Sequence, residues 1–201
     1  MNRGEKLALF LGMLSGDGCL SIKHSGEGYR DYPIQFWNND EKIVRLFDQL
    51  FFDLFEIHGR ISSRKREKRQ EIWEFLKHSH KIVNELRAIG FPEGVKRDVL
   101  RVPKIIFQGS NNEKISFIWG LLITDGCVRE SGAISFHLGS KLFLEDFSNL
   151  ISQVIGVRKP IKEFIQKEKY HSYQLYLNKD EGLALLSNVP TCDNGTRAVL
   201  R

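Results

Sequence analysis

Apolar residues recur along this chain with two alternating spacings. Over residues 4–17, Leu7, Phe10, Leu11 and Leu14 fall three and four apart, which predicts a helix with one buried face. Cys19 to His24 then alternates as a strand, with Leu20 and Ile22 on one side and Ser21 and Lys23 on the other. Ser25-Gly26-Glu27-Gly28 reads as a turn. Tyr32 to Asn38 is a second strand, with Ile34 and Phe36 inward and Gln35 and Trp37 outward. Asn38-Asn39-Asp40 can cap a helix from Glu41 to about Leu54. A second hairpin follows: His58, Arg60, Ser62 and Arg64 share one face, Arg64 to Arg69 forms a basic tip, and Glu71 to Leu76 returns. A helix near His80–Ile89 closes at Gly90, and Phe91-Pro92-Glu93-Gly94 turns.

The order then repeats. A linker over 96–112 leads into a helix at 113–125 and a strand near Cys127–Glu130. Ser131-Gly132 turns into Ala133–Leu138, with Ile134 and Phe136 on one side and Ser135 and His137 on the other. Ser140 caps a helix to about Ile155. Pro160–Gln166 and Ser172–Leu177 form another hairpin, and Asp180 to Leu186 a short last helix. The reading is an α+β chain of two αββαββα halves, 1–95 and 113–201, with the last fifteen residues as turn and tail.

The halves share more than their order. Phe10-Leu11-Gly12-Met13-Leu14-Ser15-Gly16-Asp17-Gly18-Cys19 matches Ile118-Trp119-Gly120-Leu121-Leu122-Ile123-Thr124-Asp125-Gly126-Cys127, with the two Asp 108 residues apart. Gly12 and Gly16, and likewise Gly120 and Thr124, are four apart and share a helix face. Such a small face lets two helices approach closely. Gly18 and Gly126 fit a left-handed position just past a helix end. Parallel packing would bring Asp17 and Asp125 together, and two carboxylates ~5 Å apart repel by ~3 kcal/mol at an effective dielectric of ~20. That cost calls for a cation, and hard oxygen ligands suit Mg²⁺.

This doubled segment resembles the motif of the LAGLIDADG homing endonucleases, and the resemblance spans nearly the whole chain. It implies two pseudo-symmetric domains, a saddle of antiparallel sheets and a central two-helix interface at Gly12, Gly16, Gly120 and Thr124. It further implies a metal-dependent nuclease that cuts both strands of a long asymmetric DNA site, leaving short 3′ overhangs. Asp17 and Asp125 would hold Mg²⁺, with the carbonyls of Gly16 and Thr124 as further ligands. Mn²⁺ would substitute, and Ca²⁺ would bind without supporting cleavage. Asn38 and Gln35 would position water, with His137 as the rough counterpart of Asn38 in the other half. The resemblance also leads one to expect a lysine three residues before Pro103. Leu100 stands there, leaving Arg101 or Lys104 as substitutes or as ordinary surface cations.

Charge fits a polyanionic partner without proving one: the formal net charge is +5. The first 108 residues carry 19 basic and 15 acidic residues, against 11 and 10 in the rest, so the N-terminal half should grip phosphate harder. One sheet face collects Ser21, Lys23, Gln35, Trp37, Arg60, Ser62 and Arg64, joined at the tip by Arg66 and Arg69. Its counterpart collects Arg129, Ser135, His137, Lys162, Gln174 and Tyr176. Arg and Gln suit base edges in the major groove; alternation alone fits a solvated face better, and it is the doubled acid motif that reverses this for the set. The three cysteines show no zinc spacing and point to a reducing compartment, and Cys19 and Cys127 read as small buried hydrophobes. The six histidines form no HExxH pattern. A soluble intracellular monomer is expected, cytoplasmic or in an organelle matrix. Residue 1 is no nucleophile and the end is not His-Asn, which speaks against an intein. An intron RNA maturase or a non-cleaving DNA-binding protein is the alternative.

Overall fold

The computed structural model describes residues 1–25, 29–65, 70–166 and 170–188, with side chains for all of these except 23–25, 29, 30, 166 and 170. Arg66 and Arg69, and the side chain of Lys23, lie outside this description. Two helices run through the middle, α1 (Arg3–Asp17) and α5 (Asn111–Asp125). Each opens on a capping box. Asn2 accepts from the Glu5 amide at 2.9 Å while Glu5 accepts from the Asn2 amide at 3.0 Å, and Ser110 and Glu113 exchange the same bonds at 3.3 and 2.6 Å. Helix α5 therefore begins at Asn111, two residues before the expected start at Glu113.

The two helices pack in parallel, with Gly12 against Gly120 and Gly16 against Thr124. A Cβ on Gly12 would sit 2.2 Å from the Phe117 carbonyl oxygen, and one on Gly120 would sit 2.3 Å from that of Leu9. Both helices are apolar on nearly every side, because each faces its partner and also its own half's sheet and outer helix.

The N-terminal sheet has the order β1-β4-β6-β5, antiparallel throughout, from β1 (Gly18–Leu20), β4 (Pro33–Asn38), β5 (Arg60–Arg64) and β6 (Ile72–His78). The C-terminal sheet repeats it as β7-β8-β10-β9, from β7 (Gly126–Val128), β8 (Ile134–Leu138), β9 (Lys162–Gln166) and β10 (Tyr170–Leu177). The expected single strand from Cys19 to His24 is instead broken after Leu20. The chain leaves the sheet and makes a separate two-stranded ribbon, β2 (Lys23–Ser25) with β3 (Tyr29–Asp31).

Under the first sheet lies α2 (Glu41–Phe55), whose Phe47 stacks on Phe36 with centroids 4.2 Å apart and meets Phe10 at 4.8 Å. Under the second lies α6 (Lys141–Ile155), where Phe147 meets Phe136 at 4.9 Å. The halves close with α3 (His80–Ala88) and α7 (Lys179–Asn188).

The linker is more structured than its sequence suggests. It contains a short helix, α4 (Lys104–Gln108), and it ties the halves together. Lys96 donates to the carbonyls of Leu14, Ser15 and Gly16, in the first half. Arg97 then donates to the His171 carbonyl, Leu100 accepts from Ser140 at 3.3 Å, and Arg101 grips Asp146 at 2.5 and 2.7 Å, all in the second half.

Gly18 and Gly126 do not take the expected left-handed conformation. Both are extended, at φ −94° and −84°. Glycine is needed there for space: a Cβ would lie 2.4 to 2.5 Å from the preceding turn's Leu14 or Leu122 side chain. Nor are the cysteines that follow them buried core residues. Cys127 is exposed and Cys19 half-buried, because each sits on the outward side of its strand.

Candidate active site and nucleic-acid face

Asp17 and Asp125 end α1 and α5, where the helix dipole disfavours an anion. Parallel packing brings them to one place: the Asp125 Oδ2 lies 2.9 Å from where a Cβ on Gly16 would be. Burial pushes the Asp125 carboxyl up to about 7, and the neighbouring Asp17 charge adds to this while Lys96 opposes it. Burial also raises Asp17, against the pull of Asn38 and Lys96. This is the cost expected for two acids held together out of water.

Lys96 answers that cost. Its ammonium donates to the carbonyls of Leu14, Ser15 and Gly16 at 3.2, 2.9 and 2.8 Å, capping the end of α1. Burial lowers its pKa to about 8, against the raising pull of Asp125, Cys19 and Asp17. Sequence reasoning missed this residue. No spacing marks it, for it lies 80 residues from Gly16 in the chain. The positions considered for a linker lysine are engaged elsewhere: Leu100 is 3% exposed core, Arg101 pairs with Asp146, and Lys104 opens α4 at the surface.

Asn38 Nδ2 donates to Asp17 Oδ2 at 2.6 Å, while its Oδ1 accepts from the Asp40 amide at 2.8 Å. It orients the carboxylate. Gln35 is turned away from the acids and donates to Glu74 Oε1 at 3.1 Å. The other half differs. Gly18 pairs with Phe36 and Gly126 with Phe136, so Asn38 corresponds in register to Leu138, and His137 corresponds to Trp37. His137 is thus not the counterpart of Asn38, and Asp125 has an apolar residue where Asp17 has an amide.

The outward faces of the sheets run outward from the acids. Gln35, Trp37, Arg60, Ser62 and Arg64 share the first, with Arg60 and Arg64 exposed. Ser21 follows β1, its amide on the Pro33 carbonyl at 3.2 Å. On the second, His137 bonds Gln174 at 2.8 Å, Lys162 pairs with Gln174, and Arg129 lies over the Tyr176 ring at 5.7 Å. Ser135 departs from expectation. It faces outward but is 3% exposed, enclosed by Cys127 and Tyr176 on the flanking strands.

Residues 112–190 match the model of the LAGLIDADG-like domain family. The whole fold aligns with mesophilic variants of the homing endonuclease I-DmoI at a TM-score of 0.72 and 19% identity, covering 94% of this chain and 97% of that one.

Residues 112–190 thus match a LAGLIDADG-like domain, and the whole chain shares the fold of I-DmoI.

Structural likeness extends to I-DmoI in complex with DNA and Ca, at a TM-score of 0.71 and 18% identity over 96% and 93% of the two chains. The homing endonuclease I-WcaI bound to its DNA recognition sequence aligns at 0.60 and 12% identity, over 94% and 81%. A curated relative, one of the proteins of the A-type ATP synthase of Pyrococcus abyssi (strain GE5 / Orsay), is 28% identical over 183 residues. Those residues are 90% of this chain and 16% of that protein, so the chain spans about one sixth of the relative's length.

The site supplies two carboxylates, and among the described residues no group of three or more His, Cys, Asp or Glu could hold a metal ion. That donor set fits Mg²⁺, which keeps several waters and is commonly held by one or two carboxylates plus substrate phosphates. The Gly16 carbonyl also accepts from Lys96 at 2.8 Å.

Proposed function

We propose that this chain is a site-specific DNA endonuclease, dependent on a divalent metal, that breaks one phosphodiester bond in each strand of a long asymmetric duplex and leaves short 3′ overhangs. One observation carries the reading: each half delivers one half-buried acid to a shared point between two polar sheet faces. Both acids belong to one chain, so a monomer suffices. Asp17 and Asp125 would hold Mg²⁺ or Mn²⁺ with the two scissile phosphates, and Ca²⁺ would bind without turnover. When bound, the metal supplies a water of lowered pKa and stabilises the leaving oxygen. Asn38 fixes the Asp17 carboxylate. Lys96 offsets one of the two negative charges and holds the end of α1 in place. The I-DmoI structures with DNA and with Ca or Mn support this reading by analogy.

The ATP synthase name is not carried over, because the sequence contains no Gly-Lys dipeptide and so no GxxxxGK[ST] phosphate loop. A maturase or a non-cleaving DNA-binding protein needs no pair of acids brought together at the ends of two helices, and the convergence of Asp17 and Asp125 supports cleavage over both. The test is a supercoiled plasmid library of candidate sites incubated with Mg²⁺, with Ca²⁺ and with EDTA. Linear product should form with Mg²⁺ alone. Asp17→Asn and Asp125→Asn should bind without cutting, and wild-type cleavage by both variants would remove the metal-ligand assignment.

A further inference from the structure

The N-terminal sheet holds a carboxylate in the middle of its outward face. Glu74 on β6 lies between Trp37 on β4 and Ser62 on β5, and it is only 6% exposed. Its Oε2 accepts from Arg64 Nη2 at 2.8 Å and its Oε1 from Gln35 Nε2 at 3.1 Å. Burial pushes its carboxyl up, but the bonds from Arg64, Gln35 and Trp37 outweigh this and hold it below the usual glutamate range. It is therefore an anion at neutral pH.

An anion on a face turned toward polyphosphate weakens grip. What it does for its neighbours is fix their direction. A carboxylate beside a glutamine amide draws the NH₂ end to itself, which commits one of its two N–H groups and turns the carbonyl oxygen away from Glu74 as the acceptor Gln35 offers to a partner. The Arg64 side chain remains 66% exposed with one Nη2 bond committed, so its other N–H groups are presented from an anchored fork. At the corresponding register of the second half stands Gln174, paired with Lys162 and bonded to His137, with no carboxylate.

We propose that Glu74 is a positioning residue for base readout: it aims Arg64 at the O6 and N7 acceptors of a guanine and leaves Gln35 as acceptor for the amino group of an adenine or cytosine. This rests on the DNA-binding reading above. Arg64 then acts as a base reader rather than a phosphate anchor, and the two half-sites are read by different chemistry.

The test is selection from a pool of fully randomised duplexes in Ca²⁺, followed by sequencing of the bound fraction. Wild type is compared with Glu74→Gln, Arg64→Met and Gln35→Met. The expected wild-type consensus contains a guanine whose preference falls roughly 10- to 100-fold in both Glu74→Gln and Arg64→Met. Gln35→Met should relax a neighbouring adenine or cytosine position and keep the guanine. The salt dependence of binding should be unchanged in Arg64→Met. Melting curves check folding, and Arg64→Met carries the test alone if Glu74→Gln melts early, because Arg64 is exposed. A guanine preference unchanged in Arg64→Met or in a folded Glu74→Gln overturns the proposal. So does a uniform loss in Arg64→Met with a flatter salt slope. A wild type that enriches no sequence overturns the DNA-recognition reading itself.

Discussion

Gly12 is the most exacting position on the helix seam. An added Cβ would lie 2.2 Å from the Phe117 carbonyl oxygen and 3.0 Å from the Gly120 Cα. Contact at ordinary distance requires the helices to part by about 1 Å, since non-bonded heavy atoms rest near ~3.5 Å and the oxygen belongs to a helix backbone that cannot rotate away. Gly12→Ala should gain about 1 kcal/mol from helix propensity and lose about 1–3 kcal/mol to overpacking. Parting the helices also loosens Leu9, Met13 and Phe117, all within 3% of full burial, which places the balance on the destabilising side. Gly12→Val removes the propensity gain in part and adds bulk, so it should cost more. At about 2–4 °C per kcal/mol for a chain of this size, the expected fall for Val is several degrees. The seam also sets the separation of Asp17 and Asp125, because Gly16 packs on Thr124 one turn further on. A misplacement of ~1 Å can cost catalysis ~100-fold, so cleavage should fall further than DNA affinity. The assay is thermal melting with parallel binding and cleavage. Variants that melt at or above wild type and cut normally would show that propensity outweighs contact, and that the helices do not meet as described.

Other outcomes follow from the site. Asp125 has a pKa raised from 3.8 to about 7 by burial and by Asp17, so the metal-free protein should lose stability as pH climbs between those values. In EDTA at pH 8, Asp125→Asn should be more stable than wild type by on the order of 2–4 kcal/mol and melt higher, with the gap closing below pH ~4 and Mg²⁺ stabilising wild type more; equal melting at pH 8 would deny the burial cost. Lys96→Met leaves the Leu14, Ser15 and Gly16 carbonyls without their cation and should cost about 1–3 kcal/mol in urea unfolding, along with cleavage. Since Asn38 orients Asp17 and Leu138 stands in its place by Asp125, the strands should be cut at unequal rates. Nicked plasmid should accumulate early, and Asn38→Leu should slow one strand alone; simultaneous cutting in wild type would show that the amide plays no part.

What the sequence determined by itself was whatever depends on neighbours a few residues apart. The spacing of Leu7, Phe10, Leu11 and Leu14 requires an inward helix face, and Ile34 and Phe36 between Gln35 and Trp37 require a strand, because backbone geometry sets those periods locally. Gly12 and Gly16, repeated as Gly120 and Thr124, showed the seam for the same reason. Tertiary structure alone decided the rest. Lys96 reaches the end of α1 only because the linker crosses between the halves. Glu74 alternates like any outward strand residue, yet sheet register buries it between Trp37 and Ser62. Register likewise sets Leu138, and not His137, opposite Asn38 in the pseudo-symmetry, since the first hairpin detours through β2 and β3 while the second does not. Contacts between distant segments are chosen by how whole elements pack, and no local period in the chain encodes that choice.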